Sequence, residues 1–104
     1  MTCIGFLSVA PVKEGSMAAD VADAVAALEE YDVEYETTPM GTIIEAADSQ
    51  ELFAAASGAH AAVDSNRVST FLKVDDKRTV ESDAASKVAA VEAELGRPAR
   101  SDRD

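Results

Sequence analysis

Midway along the chain, Thr37-Thr38-Pro39-Met40-Gly41-Thr42-Ile43-Ile44-Glu45 gathers three hydroxyls and a carboxylate around a proline–glycine turn signal. A plain hairpin needs only the turn residues. The threonines and Glu45 add donors and acceptors beyond that need, so the loop reads as a candidate binding rim. A second set, Phe71, Lys73 and Asp75, alternates along a later run and combines a ring with two charges. These residue types suit recognition better than bond making. His60 is the single histidine, and its place on an apolar stripe reads as a satisfied, partly buried side chain. It has no second histidine or cysteine at metal-ligand spacing, so a zinc site has no support, and no Ser-His-Asp or Cys-His set can be assembled. Neither catalysis nor a cofactor is expected.

The elements that must position these groups follow from periodicity. Residues 2–10 alternate as a strand, with Cys3, Gly5, Leu7 and Val9 on one face and Ile4, Phe6 and Ser8 on the other. Both faces are largely apolar, as in a central strand covered on two sides. Ser16 is placed to cap a helix whose stripe is Met17, Val21, Val25 and Leu28. Val33 to Thr38 reads as a half-exposed edge strand. The turn would then use Pro39, Met40 and a left-handed Gly41 as a three-residue loop with a bulge, and Thr42 to Ala46 would be the third strand. Asp48 with Glu51 fits a capping box opening a helix with Leu52, Phe53, Ala56, His60 and Val63 inward. After Asn66 and Arg67, a fourth strand sets Val68, Thr70, Leu72 and Val74 against Ser69, Phe71, Lys73 and Asp75. A last helix from about Val80 to Leu95 carries Ala84, Val88, Val91 and Leu95 in register and stops at Gly96. The organisation is one domain over residues 1–96 and a polar, disordered tail over 97–104.

Charge is unevenly spread. The net charge is −11; residues 1–66 hold twelve acids and one base, Lys13, whereas residues 67–104 hold eight of each. Such a surface repels phosphate backbones and anionic lipids, which argues against nucleic-acid and membrane partners. It fits a halophilic-type surface, a solvated acidic shell working in concentrated salt, and stability is expected to rise with ionic strength. The apolar run from Cys3 to Val12 is too short to span a bilayer and has no basic lead-in, and the lone Cys3 cannot pair within the chain. A cytoplasmic location is the expectation.

The order β-α-β-β-α-β with an extra helix predicts an α+β, ferredoxin-like sandwich with a C-terminal helix. Two helices would cover one face of a four-stranded antiparallel sheet, with the first and third strands central. If the helices meet Leu7, Val9, Ile44, Leu72 and Val74, the open face holds Ile4, Phe6, Ser8, Ile43, Glu45, Phe71, Lys73 and Asp75. That face is too apolar for water and too polar for a core, so it reads as an interface, a ligand site or both. A homodimer or a dimer of dimers would bury it.

The run Tyr35-Glu36-Thr37-Thr38-Pro39-Met40-Gly41-Thr42-Ile43-Ile44-Glu45, followed by Arg67-Val68-x-Thr70-x-x-Lys73-Val74-Asp75-Asp76-x-Arg78, resembles the small thiamine-binding protein family of ferredoxin-like fold. Ser8-Val9-Ala10-Pro11 and His60 also fit, and the likeness covers residues 3 to about 95. The acidity and the arginine-containing tail depart from it. The resemblance implies a non-catalytic homo-oligomer, dimer or tetramer, that binds thiamine or its aminopyrimidine (hydroxymethylpyrimidine) moiety. Such a ligand wants an aromatic or methionine surface, hydroxyls and a carboxylate. Phe6, Phe71 and Met40 would supply the first, and Ser8, Thr38 and Thr42 the second. Glu45 or Asp75 would supply the third, with Gly41 and Lys73 in the same pocket. Acylphosphatases share the architecture, but the loop Pro11-Val12-Lys13-Glu14-Gly15 lacks the arginine and glycine-rich run of their phosphate cradle. The competing reading is a regulatory or scaffolding module that oligomerises without a small ligand.

Overall fold

Alternation of side chains along the first strand decides the architecture, because only a strand covered on both sides can be apolar on both. In the computed structural model, which describes residues 2–78 and 84–99, that strand is β1 (Cys3–Pro11). It lies between β3 (Gly41–Ala46) and β4 (Val68–Asp76), antiparallel to both. With β2 (Val33–Thr38) beyond β3, the sheet order is β2-β3-β1-β4. Helices α1 (Ala18–Ala27) and α2 (Ser49–Ala61) cover one face, and α3 (Ala84–Leu95) follows the last strand. This is the expected ferredoxin-like α+β fold with its additional C-terminal helix.

The register places Cys3, Gly5, Leu7 and Val9 beside Ala46, Ile44 and Thr42 of β3 and Asp76, Val74, Leu72 and Thr70 of β4, all facing α1 and α2. Ile44, Leu52, Leu28 and Cys3 are the largest fully buried side chains between sheet and helices. Ile4, Phe6 and Ser8 alternate onto the other face next to Glu45, Ile43, Asp75, Lys73 and Phe71, so the strand phases read from sequence hold.

Several local expectations change. The hairpin has a two-residue loop: Thr38 pairs with Gly41, and among the described residues neither Gly41 nor any non-glycine residue takes a positive φ. Glycine is required at 41 for space instead. A Cβ there would lie 2.7 Å from the Leu7 carbonyl oxygen and 2.7 Å from Cζ of Phe6. The Thr38 hydroxyl ties the turn, donating to the Gly41 carbonyl (2.8 Å) and accepting from the Met40 N–H (3.3 Å). Helix α1 begins after Met17, whose side chain makes no cap; Ser16 sits one residue early and accepts from the Ala18 N–H at 3.3 Å.

Half of the capping box forms. Asp48 accepts from the Glu51 N–H at 2.8 Å, but the Glu51 carboxylate accepts from the Asp32 N–H at 3.1 Å, pinning the loop ahead of β2. The inward stripe of α2 is Leu52, Ala55, Ala56 and Ala59, while Phe53 and His60 are exposed. Alanines at those positions let the helix approach the sheet closely, and Phe53 then falls outside the contact. A short 3-10 turn, Leu28–Glu30, carries Leu28 into the core. At the end of α3, Gly96 takes φ 72°, as a helix stop requires. The anticipated start of that helix near Val80 and most of the anticipated tail fall outside the described residues; the Ala99 N–H folds back to donate to Glu92 at 2.7 Å.

Candidate ligand-binding site

Helix α1 touches the core through Ala24, with Leu28 buried just beyond it, whereas Val21 and Val25 are half-buried and Met17 is exposed. Its N-terminal end therefore stands away from the sheet and leaves a cavity of about 250 Å³. Leu7, Val9 and Thr42 form the floor, Met17, Val21 and Val25 the roof, and Thr37, Thr38 and Met40 the end wall. The turn described above thus forms one rim of a real cavity. Thr42 is buried at 4% exposure, and its hydroxyl lies 3.4 Å from that of Thr37, its partner across the β2–β3 ladder. So long a contact is weak, and a hydroxyl has one donor and two acceptor sites, so the pair keeps capacity for another partner. The Thr38 hydroxyl is already committed to the turn.

Ten residues were singled out from the sequence, and the structure divides them between two faces of the sheet. Ser8, Thr38, Met40, Gly41 and Thr42 border the cavity beneath α1. Phe6, Glu45, Phe71, Lys73 and Asp75 share the opposite face, and Ser8 is in register with Phe71 there as well. The expectation that the hairpin, Ser8, Phe71, Lys73 and Asp75 line one pocket is therefore corrected: β3 and β1 run between the two groups. On the open face the rings of Phe6 and Phe71 meet edge to face, with centroids 6.4 Å apart and planes at 68°.

The two anticipated carboxylates are engaged with α3. Glu45 accepts a hydrogen bond from the Ala84 N–H at the first residue of that helix. Asp75 pairs with Lys87 at 2.7 Å, and the hydrogen bond and charge of Lys87 hold its carboxyl below the usual aspartate value. Beside Glu45, a second cavity of about 310 Å³ is walled by Glu34, Glu36 and Ile43 and roofed by Ala84, Ala85 and Val88.

With this geometry in place, comparison with known proteins is informative: the sequence profile of the family described as thiamine-binding protein matches residues 6–92. The chain belongs to the thiamine-binding protein family. Among relatives, a UPF0045 protein of Methanothermobacter thermautotrophicus is 42% identical over 83 residues, covering 77% of this chain and 84% of that one. The crystal structure of hypothetical protein MJ1052 from Methanocaldococcus jannaschii superposes with a TM-score of 0.80 at 31% identity, covering 86% of this chain and 95% of the other. A Thermotoga maritima protein, provisionally assigned to thiamine biosynthesis or salvage, superposes with a TM-score of 0.75 at 18% identity over 88% of this chain and 99% of its own; it shares the fold.

In this member of the thiamine-binding protein family, the residues that sequence reasoning missed are Thr37 and the roof of α1. Met17, Val21 and Val25 have the spacing of a core stripe, and spacing alone does not distinguish a side chain pressed on the sheet from one held above a void. Thr37 was legible in principle: counting outward from a two-residue turn sets it opposite Thr42. His60 is exposed, its Nδ1 2.5 Å from the Thr70 hydroxyl. Neither residue borders the cavity beneath α1. Cys3 is buried in the core, and burial, reinforced by Asp76, raises its thiol pKa. Among the described residues no group of three His, Cys, Asp or Glu side chains forms a metal set, and no helix is long and apolar enough to cross a membrane.

Proposed function

We propose that this protein binds thiamine, or its aminopyrimidine moiety, without chemical turnover, as a cytoplasmic homo-oligomer. The observation that carries this reading is the cavity beneath α1, rimmed by the Thr38-Pro39-Met40-Gly41-Thr42 turn, in a member of the thiamine-binding protein family. Its size suits a single six-membered ring with small substituents. Its apolar floor and roof suit the ring faces, and the Thr37 and Thr42 hydroxyls suit the ring nitrogens and the exocyclic amine. The thiazolium would extend toward the mouth, where Met17 and Met40 are exposed. Seating without reaction is supported by His60 lying elsewhere, against Thr70.

A second seat is favoured by one specific feature: Glu34, Glu36 and Glu45 wall the cavity under α3, and a cationic thiazolium suits carboxylates. Calorimetric titration of thiamine into the wild type, Thr42→Val and Glu45→Gln separates the two. Thr42→Val keeps the shape and removes one hydroxyl, so binding should weaken about five- to tenfold, the worth of one neutral hydrogen bond. Glu45→Gln should leave it nearly unchanged. The reverse pattern would move the ligand to the other face, and absence of heat from thiamine or the free pyrimidine in the wild type would leave the scaffolding alternative.

A further inference from the structure

Every residue that lines the cavity beneath α1 falls between Leu7 and Thr42, and none of them carries a charge. The polar side chains among them are those of Ser8 and the three threonines. That stretch of chain holds eight acids and one base, Lys13. Lys13 is engaged by Asp20 of α1 at 2.7 Å, and the next base along the chain, Arg67, precedes β4 on the far side of β1. A helix N-terminus ordinarily favours an anion, and that of α1 stands over the cavity. Here it is already supplied: the Ser16 hydroxyl accepts from the Ala18 N–H at 3.3 Å, and Asp20 sets a carboxylate in the first turn.

Resting on the thiamine-binding reading above, we infer that this cavity takes thiamine or the free pyrimidine and rejects their phosphate esters, with Asp20 as a specificity-determining residue. Two separate effects exclude the esters. A phosphate on the hydroxymethyl group of the free pyrimidine stands one carbon from the ring, so seating the ring carries a dianion toward Leu7, Val9 and Val21 with no cation to meet it. Stripping water from an unpaired charge is costly, and salt in the solvent does little to relieve it.

A phosphate on thiamine sits instead at the far end of the thiazolium, beyond the mouth, and keeps its water. Only charge opposes it. The roof helix carries Asp20 and Asp23, and the pairing of Lys13 with Asp20 withholds the one base of that stretch as a counter-charge. Repulsion of this kind acts through solvent and is screened by salt.

Calorimetric competition on the full chain, in dilute buffer and in molar salt with no divalent cation present, tests this. The probes are thiamine, thiamine diphosphate, the hydroxymethylpyrimidine and its monophosphate. In dilute buffer thiamine diphosphate should bind about tenfold more weakly than thiamine, and the gap should shrink in molar salt. The pyrimidine monophosphate should bind about a hundredfold more weakly than the free alcohol at either salt concentration. Asp20→Asn, which releases Lys13 and removes one carboxylate, should narrow the ratio of thiamine to thiamine diphosphate affinity about threefold in dilute buffer. Met40→Lys, an ammonium on an exposed turn residue at the mouth, should narrow it as well. Loosening of the fold alone would weaken both ligands together and leave the ratio fixed. An ester that binds as tightly as its parent, or a ratio that neither variant moves, overturns the inference and leaves the site standing. Failure of thiamine and the free pyrimidine alike to bind overturns the site itself, and this inference with it.

Discussion

The two faces of this sheet are built from alternate residues of the same strands, yet they are finished differently. Beneath α1 and α2 the side chains are small or aliphatic, burial is nearly complete, and one defect remains where α1 stands off over Thr42. On the other face the rings of Phe6 and Phe71 and the Lys73 side chain share the surface with the carboxylates of Glu45 and Asp75, and α3 meets those two carboxylates through its first turn. A nearly complete core with one gap is suited to hold a small molecule. A half-covered mixed surface is suited to a macromolecular contact. The difference teaches that one set of strands can enclose an apolar gap on one face while presenting an open, mixed surface on the other.

The substitution with the largest expected effect joins the two faces. Gly41→Val would drive a side chain into the Leu7 carbonyl oxygen and the Phe6 ring, neither of which can withdraw without moving β1. Overpacking of this kind costs about 1–3 kcal/mol, so the urea midpoint should fall and thiamine affinity with it. A variant of wild-type stability would show that the strands separate more easily than the register implies. Next in size, Glu45→Gln removes a carboxylate from the N-terminal end of α3, where such a charge is worth about 0.3–1 kcal/mol. Limited proteolysis should then cut α3 faster while the cavity beneath α1 keeps its affinity; equal loss of both would dissolve the separation.

The smallest effect concerns acid. Because Lys87 lowers the pKa of Asp75 below its ordinary 3.8, the folded state binds fewer protons there than the unfolded chain. That contribution is complete above the unfolded value and disappears as the pH falls through the lower, folded one. Asp75→Asn should therefore remove a slight downturn in stability below about pH 4. An unchanged acid limb would mean that the ion pair does not persist in solution.

The fold was legible because its signals are local and agree. Period-two alternation assigned the faces of β1 and β4, Asp48 marked the start of α2, and Gly96 marked the end of α3. The candidate site was legible only in part. The turn residues announce themselves by type, whereas the roof of the cavity consists of Met17, Val21 and Val25, which look like any helix core. Periodicity reports which side chains share a face and is silent on the distance to what lies opposite. Phe53 was misplaced for a related reason: its size favours burial, but the close approach that Ala55, Ala56 and Ala59 permit leaves no room for a ring.

Gly41, Ile43 and Glu45 point one way from β3, and Thr42, Ile44 and Ala46 the other, directly after a loop of only two residues. The consequence is one of parity. A single residue inserted into β3 between Thr42 and Ile44 would exchange the inward and outward sets beyond it, sending Ile44 off the core face and the Glu45 carboxylate toward the helices. Substitution can adjust either surface separately, but the reading frame of the pleat is shared by both. A change of length should be tolerated more readily in the loop from Lys13 to Gly15, beyond the bond of the Val12 N–H to the Arg67 carbonyl, where the count of residues carries no orientation.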